Sequence, residues 1–171
     1  MKYNINEHIH LYAVWTAARA VQRGFVKTEK IKIAIESSDL RRFAERPVVA
    51  SPRAYQLLHR KWATQLLLSF KAQKVEVRKL TYGRMAKIIA VYLKTAVIIP
   101  SKGKTSVCKI IHPPIDAILL KRISKEPNCE RFKFHRWTSL NETAYWELCK
   151  DIEQSFGYFD WRLEKYWSPL Q

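Results

Sequence analysis

The sequence predicts an all-α fold, a single compact helical domain of about seven or eight helices spanning residues 1–171, and three observations carry that expectation. Apolar residues return at three- and four-residue steps along nearly the whole chain. Residues that cap or break helices punctuate those runs. Only residues 75–80 alternate as a strand would, and they are short enough to be a turn. A length of 171 residues suits one hydrophobic core. No internal repeat and no linker divides it.

The elements follow in order. Over residues 6–23, Leu11, Trp15, Ala18 and Val21 recur at helical spacing, and Gly24 ends the segment. Thr28 is placed to cap a second helix, on which Ile31, Ala34, Ile35 and Leu40 share a face. Pro47 breaks the chain. Ser51-Pro52 is a helix start, the hydroxyl capping and the proline standing where its missing N–H costs nothing. Behind it, Tyr55, Leu58, Trp62, Leu66 and Phe70 form a stripe. A further helix runs from Gly83 towards Ile99, with Met85, Ile89, Tyr92 and Ala96 along one side. Residues 100–110 are polar, basic and loop-like. His112-Pro113-Pro114 opens another helix, turning Ile115, Ile118, Leu119 and Ile123 inward. Ser139 and Glu142 have the spacing of a capping box, and the helix behind them shows Tyr145, Leu148, Ile152 and Phe156 before Gly157. A last short helix carries Trp161 and Trp167, and the segment 158–167 is expected to seal the core.

Charge narrows the function. Lys and Arg total 31 against 15 Asp and Glu, a formal net charge of +16. An excess of that size cannot be buried, so it forms an exposed positive field suited to phosphate backbones. Cys108, Cys129 and Cys149 form no CxxC pair, which predicts reduced thiols and neither a disulfide framework nor a zinc knuckle. The opening MKYNINEHIH lacks the apolar run of a signal peptide, and residues 88–99 are interrupted by Lys94 and fall short of a membrane span. The expectation is a cytoplasmic, nucleoid-associated protein with no membrane partner. His8 and His10 lie on different sides of a helix, so no metal site is expected; no cofactor motif or Walker loop is present, nor GxSxG.

Two segments carry candidate chemistry. In Leu80-Thr-Tyr-Gly83-Arg-Met-Ala-Lys87, a glycine turn lets backbone approach a phosphate, free N–H groups at the helix start hold the anion, and a lysine follows on the helix. In His112-Pro113-Pro114-Ile115-Asp116, a carboxylate sits near a helix start, where the dipole favours its ionised form. A desolvated lysine amine is a nucleophile for carbon, and a fixed carboxylate stabilises positive charge developing on a sugar ring. Read singly, the lysine is a solvated charge and the aspartate a dipole partner.

Taken in order, the glycine turn, the lysine on the following helix, the basic loop and the Pro-rich segment ending in Asp resemble the helix–hairpin–helix DNA glycosylase superfamily. The long interval between lysine and aspartate is most similar to the archaeal 8-oxoguanine glycosylases. The resemblance covers residues 75–123, and Met85 stands where bifunctional members usually carry a second glycine. It implies a helix–hairpin–helix element, Lys87 as the nucleophile and Asp116 as its assisting carboxylate. The partner it implies is double-stranded DNA with the target base flipped from the duplex, the base excised and the strand then open to β-elimination. Gly83, Arg84, Lys94, Lys102, Lys104 and Lys109 are the expected phosphate contacts, with Lys94 an alternative reactive amine. Trp62, Tyr92 and His112 are candidates for the base pocket.

Two other readings use the same residues. A non-catalytic DNA- or RNA-binding module would expose Lys87 and engage Asp116 only with its own helix start. A subunit of a larger nucleoprotein assembly would turn its positive face to an acidic protein.

Overall fold

The computed structural model describes residues 3–167, which form seven α-helices joined by turns of 3₁₀ and π helix, with no strand among them. Helix α1 (Ile5–Val21) starts where the Asn4 side chain accepts the N–H groups of Asn6 and Glu7. Its buried face is His10, Ala13, Val14, Ala17, Ala18 and Val21. Leu11 and Trp15 therefore fall outside the core, contrary to the sequence expectation, and are exposed. Small residues at 13, 17 and 18 let the helix axis approach its neighbour closely, and the bulky side chains are turned away.

Helices α2 (Thr28–Glu36) and α3 (Leu40–Glu45) are separate, so Leu40 begins its own helix. Thr28 is not a cap: its hydroxyl donates to Gln22 Oε1, and Lys27 holds the cap position. Helix α4 (Pro52–Ala72) starts as expected, with Ser51 Oγ accepting the Ala54 N–H at 3.1 Å. Tyr55, Trp62, Leu66 and Phe70 are buried along it, and Leu58 is half-buried. Residues 75–80 are no strand; Val77–Lys79 form one 3₁₀ turn.

Helix α5 (Tyr82–Leu93) runs through the middle of the molecule, packed by α1 on one side and α4 on another. Contact on several sides explains why it is apolar nearly all round; Met85, Ile88, Ile89, Tyr92 and Leu93 are fully buried. Each such side chain contributes about 1.5–3 kcal/mol on burial. The helix does not continue regularly to Ile99, because Lys94–Ile98 form a π turn closed by Ile99 N–H on the Lys94 carbonyl. After a 3₁₀ turn at Ser106–Lys109, residues 112–116 form no regular element. Helix α6 (Ala117–Ile123) begins only at Ala117, with Asp116 as its cap, and Ile118 is exposed where an inward position was expected.

The capping box at Ser139 and Glu142 does not form. Asn141 caps α7 (Glu142–Phe156) instead, accepting the Ala144 N–H at 2.9 Å, and Ser139 ends the 3₁₀ turn Trp137–Ser139. Two good N-cap residues compete here, and Asn141 is placed to reach the first free amides. Gly157 closes α7 in the left-handed region at φ +75°, a position that costs a glycine nothing. The 3₁₀ turn Trp161–Tyr166 buries Leu163 completely, while Trp161 and Trp167 are only half-buried. Among the described residues no helix is long and apolar enough to cross a membrane.

Candidate functional site

The interior of α5 and the start of α6 meet at Lys87 and Asp116. Lys87 lies in the second turn of α5, and its side chain is 9% exposed. Its Nζ donates to Asp116 Oδ2 at 3.0 Å. The other carboxylate oxygen, Oδ1, accepts the Leu119 N–H at 2.9 Å, which is the helix cap. One aspartate thus satisfies the start of α6 and orients an oxygen at the amine. A buried pair of this kind is costly to break from one side, about 3–5 kcal/mol, since the remaining charge is left unpaired.

A third group completes the setting of the amine. The Trp137 ring lies under Lys87 Nζ at 4.4 Å to its centroid, a cation–π contact. Trp137 is anchored by Gly83, one turn before Lys87 on α5. A Cβ at position 83 would stand 2.0 Å from the Trp137 carbonyl oxygen, so only glycine permits this approach.

Lys87 and Asp116 open onto a cavity of about 460 Å³. Its wall includes Tyr12 and Trp15 of α1, whose rings stack at 5.7 Å with planes 20° apart. Across it stand Lys94 and Glu164, which form an ion pair, and Trp167, whose ring lies 4.8 Å from Lys94 Nζ. Burial raises the Glu164 carboxyl above its ordinary pKa, with the Lys94 ammonium pulling the other way. The cavity therefore combines aromatic faces with paired donor and acceptor groups beside an amine and its carboxylate.

The sequence-predicted residues divide sharply. Lys87, Asp116 and Lys94 converge on this cavity. Trp62, Tyr92 and His112 do not line it. Trp62 is fully buried against Phe43 and Tyr55; Tyr92 receives or donates a 2.8 Å hydrogen bond at His10 Nδ1; His112 bonds Tyr145 through Nδ1 at 3.0 Å. The flat faces at the cavity come instead from Tyr12, Trp15 and Trp167. Gly83 is not a phosphate cradle, because its N–H donates to the Leu140 carbonyl at 3.0 Å and its Cα side is filled by Trp137. Arg84 is likewise committed, donating to the Lys79 carbonyl at 3.0 Å and lying over Phe25. Lys102, Lys104 and Lys109 are exposed. Lys109 borders a different cavity from Lys87. The sequence reading missed Glu164 and Tyr12 altogether and assigned Trp167 to the sealing of the core. An unusual density of aromatics near the C-terminus was the sequence signal for Trp167; Tyr12 and Glu164 had none.

That different cavity, of about 530 Å³, is bordered by Arg60, Lys109, Lys150 and Arg162 around Tyr55, His112 and Trp146. His112 and His59 belong to a buried aromatic cluster in which His59 Nδ1 meets the Tyr82 hydroxyl at 2.9 Å and its ring stacks on Tyr145. Burial pushes the His112 imidazole down to about 3 and holds His59 well below its ordinary range, so both are neutral. His112 and Arg162 border this cavity, whereas Pro114, Asp116, Glu164 and Trp167, their near neighbours in the chain, border the first.

His10 bridges the Tyr92 hydroxyl and Glu36 at 2.8 Å each. Among the described residues no three His, Cys, Asp or Glu side chains converge as metal ligands would. Compared with known proteins, the chain matches no family model, no curated protein and no solved structure.

Proposed function

We propose that this protein is a DNA glycosylase with lyase chemistry, which excises a modified base flipped from duplex DNA. The observation that carries the reading is the buried 3.0 Å pair of Lys87 and Asp116 opening onto an aromatic cavity. The non-catalytic reading expects Lys87 on an open surface and Asp116 engaged only with its own helix start, whereas the two are turned to each other in a buried pair.

In the proposed reaction the flipped nucleotide enters with its base among Tyr12, Trp15 and Trp167. Lys94 offers donors and Glu164 an acceptor to the edge of the base. The proton of the Lys87 ammonium passes by way of Asp116 to the departing base, which frees the amine and leaves Asp116 ionised. The Nζ lone pair then forms a bond to sugar C1′, and the glycosidic bond breaks with its electron pair leaving on the base. The Asp116 carboxylate stabilises the positive charge on the ring through this step. The aminal opens to a Schiff base between Lys87 and C1′. Loss of a C2′ proton then expels the 3′ phosphate by β-elimination. Exposed Lys102 and Lys104 hold strand phosphates. An enzyme of this kind works where the DNA is, at the nucleoid in the cytoplasm.

The test is borohydride trapping on duplexes carrying an abasic site or 8-oxoguanine. A covalent adduct that disappears in Lys87→Ala supports the reading. Absence of any adduct on the abasic duplex removes the lyase step.

A further inference from the structure

The second cavity is not used by that chemistry, and its composition points to a ligand. We infer that it is a nucleotide-binding site, taking one nucleoside monophosphate unit either free or as part of a strand. Four cations border it, Arg60, Lys109, Lys150 and Arg162, against two carboxylates, Glu153 and Asp160. Asp160 is spent: it is 2% exposed and forks onto Arg162 through both oxygens, at 2.6 to 3.1 Å. Arg60 pairs with Glu142, outside the cavity. Lys109 and Lys150 are exposed and have no ion-pair partner among the described residues, so two ammonium groups at the rim are available to an anion.

The rest of the cavity is suited to a flat ring. The Arg162 guanidinium lies 4.3 Å over Tyr158, and that of Arg60 lies 5.4 Å over Trp146. Arginines held on aromatic rings present a planar cationic surface on which a base can stack. His112 is neutral, so the inner wall neither attracts nor repels charge. A volume of about 530 Å³ accommodates a mononucleotide with room for water. A small inorganic anion would leave the aromatic wall unused, and an uncharged nucleoside would leave the two lysines unused. None of Arg60, Lys109, Lys150, Trp146 or Tyr158 borders the Lys87 cavity, so the inference stands independently of the glycosylase reading.

Calorimetric titration of the full chain with deoxyadenosine monophosphate, deoxyadenosine and inorganic phosphate tests it. The expected result is saturable one-site binding of the monophosphate. Nucleoside and phosphate alone are each expected to bind about tenfold or more weakly. Lys109→Ala/Lys150→Ala is expected to weaken the monophosphate about tenfold by removing two charge-assisted contacts. Both lysines are exposed, so an unaltered thermal midpoint verifies that the double variant folds; Tyr158→Ala, which removes the ring beneath Arg162, is the second variant and is expected to weaken the monophosphate without changing the response to phosphate. A short 5′-phosphorylated oligonucleotide distinguishes the sources: displacement of the monophosphate identifies a nucleotide of a strand, and failure to displace identifies a free nucleotide. The inference is overturned if no saturable binding of the monophosphate occurs at millimolar concentration. It is equally overturned if phosphate alone binds as well, or if binding survives the double substitution undiminished.

Discussion

Lys87 and Asp116, separated by 29 positions in the chain, meet at 3.0 Å because the second turn of one helix faces the N-cap of another. The aspartate is the N-cap of α6, so its rotamer is set by the helix it starts. The lysine is set from the opposite side by the Trp137 ring. Neither charge depends on the other alone for its position, which is what a preorganised nucleophile requires.

Asp116→Asn separates the two duties of that carboxylate. Asparagine caps a helix nearly as well as aspartate, so the Asn variant is expected to lose stability only through the Lys87 charge it leaves unpaired, about 3–5 kcal/mol, while base excision falls about a hundredfold or more with the charge. Asp116→Ala loses the cap as well and is expected to be about 1 kcal/mol less stable than the Asn variant. Single-turnover kinetics and urea denaturation of the two variants, side by side, check this. Equal loss of stability in both would contradict it.

The base pocket and the amine can be tested apart. Glu164→Gln leaves Lys87 in place but removes the acceptor charge facing Lys94. Excision of a modified base is expected to fall at least about tenfold, the scale of one charge-assisted hydrogen bond. Trapping on a duplex whose base is already missing is expected to be unchanged. A parallel loss on both substrates would mean that Glu164 supports Lys87 instead of the base.

Gly83→Ala places a methyl group against the Trp137 carbonyl oxygen at 2.0 Å, a contact with backbone that no side-chain rotation relieves. The expected loss is about 2–3 kcal/mol, read from urea denaturation. Because the 3₁₀ turn must shift to make room, Trp137 moves from beneath Lys87, and trapping is expected to slow with it. A variant of wild-type stability would show that the two backbones do not approach so closely.

Acid is expected to unfold the protein from the histidine cluster. His112 is held at about 3 in the folded chain against 6.5 when exposed, and His59 is lowered in the same direction. Below pH 6.5 the unfolded chain takes up protons that the folded chain does not, so stability falls as pH falls. Each histidine contributes a slope of about 1.4 kcal/mol per pH unit, beginning near the unfolded pKa and ending near the folded one. Urea denaturation between pH 7 and pH 4 measures it. A flat profile would place the imidazoles in contact with solvent.

Retention on DNA is expected to weaken steeply with salt, as the net charge of +16 implies. The slope of log affinity against log salt is about −0.9 for each phosphate neutralised. Lys102→Ala and Lys104→Ala are each expected to reduce the slope by about one unit, and Arg84→Ala not at all, since that guanidinium is committed to the Lys79 carbonyl. Equal affinity at low and high salt would remove DNA as a partner.

Local signals were legible, and distant ones were not. Ser51-Pro52, Gly157 and the stripe on α4 were readable because caps, breakers and periodicity act over one or two turns. The error at Ser139 has the same origin: asparagine two residues later competes for the same amides, and the outcome depends on where the preceding turn ends. The proximity of Lys87 and Asp116 came from the order of motifs and from no local rule. Trp62 and Tyr92 were misplaced because a large ring on an apolar stripe is drawn into the core, while the rings at the cavity, Tyr12 and Trp15, sit on the exposed side of α1. Glu164 carries no mark of its own; only the packing of the C-terminal turn brings it opposite Lys94.

Residues 112–116 and 161–167 each serve both cavities, His112 and Arg162 bordering the one and Asp116 and Glu164 the other. Each of the two segments is therefore constrained from both sides, and a substitution that shifts its backbone is expected to be felt at the amine and in the cationic cavity alike.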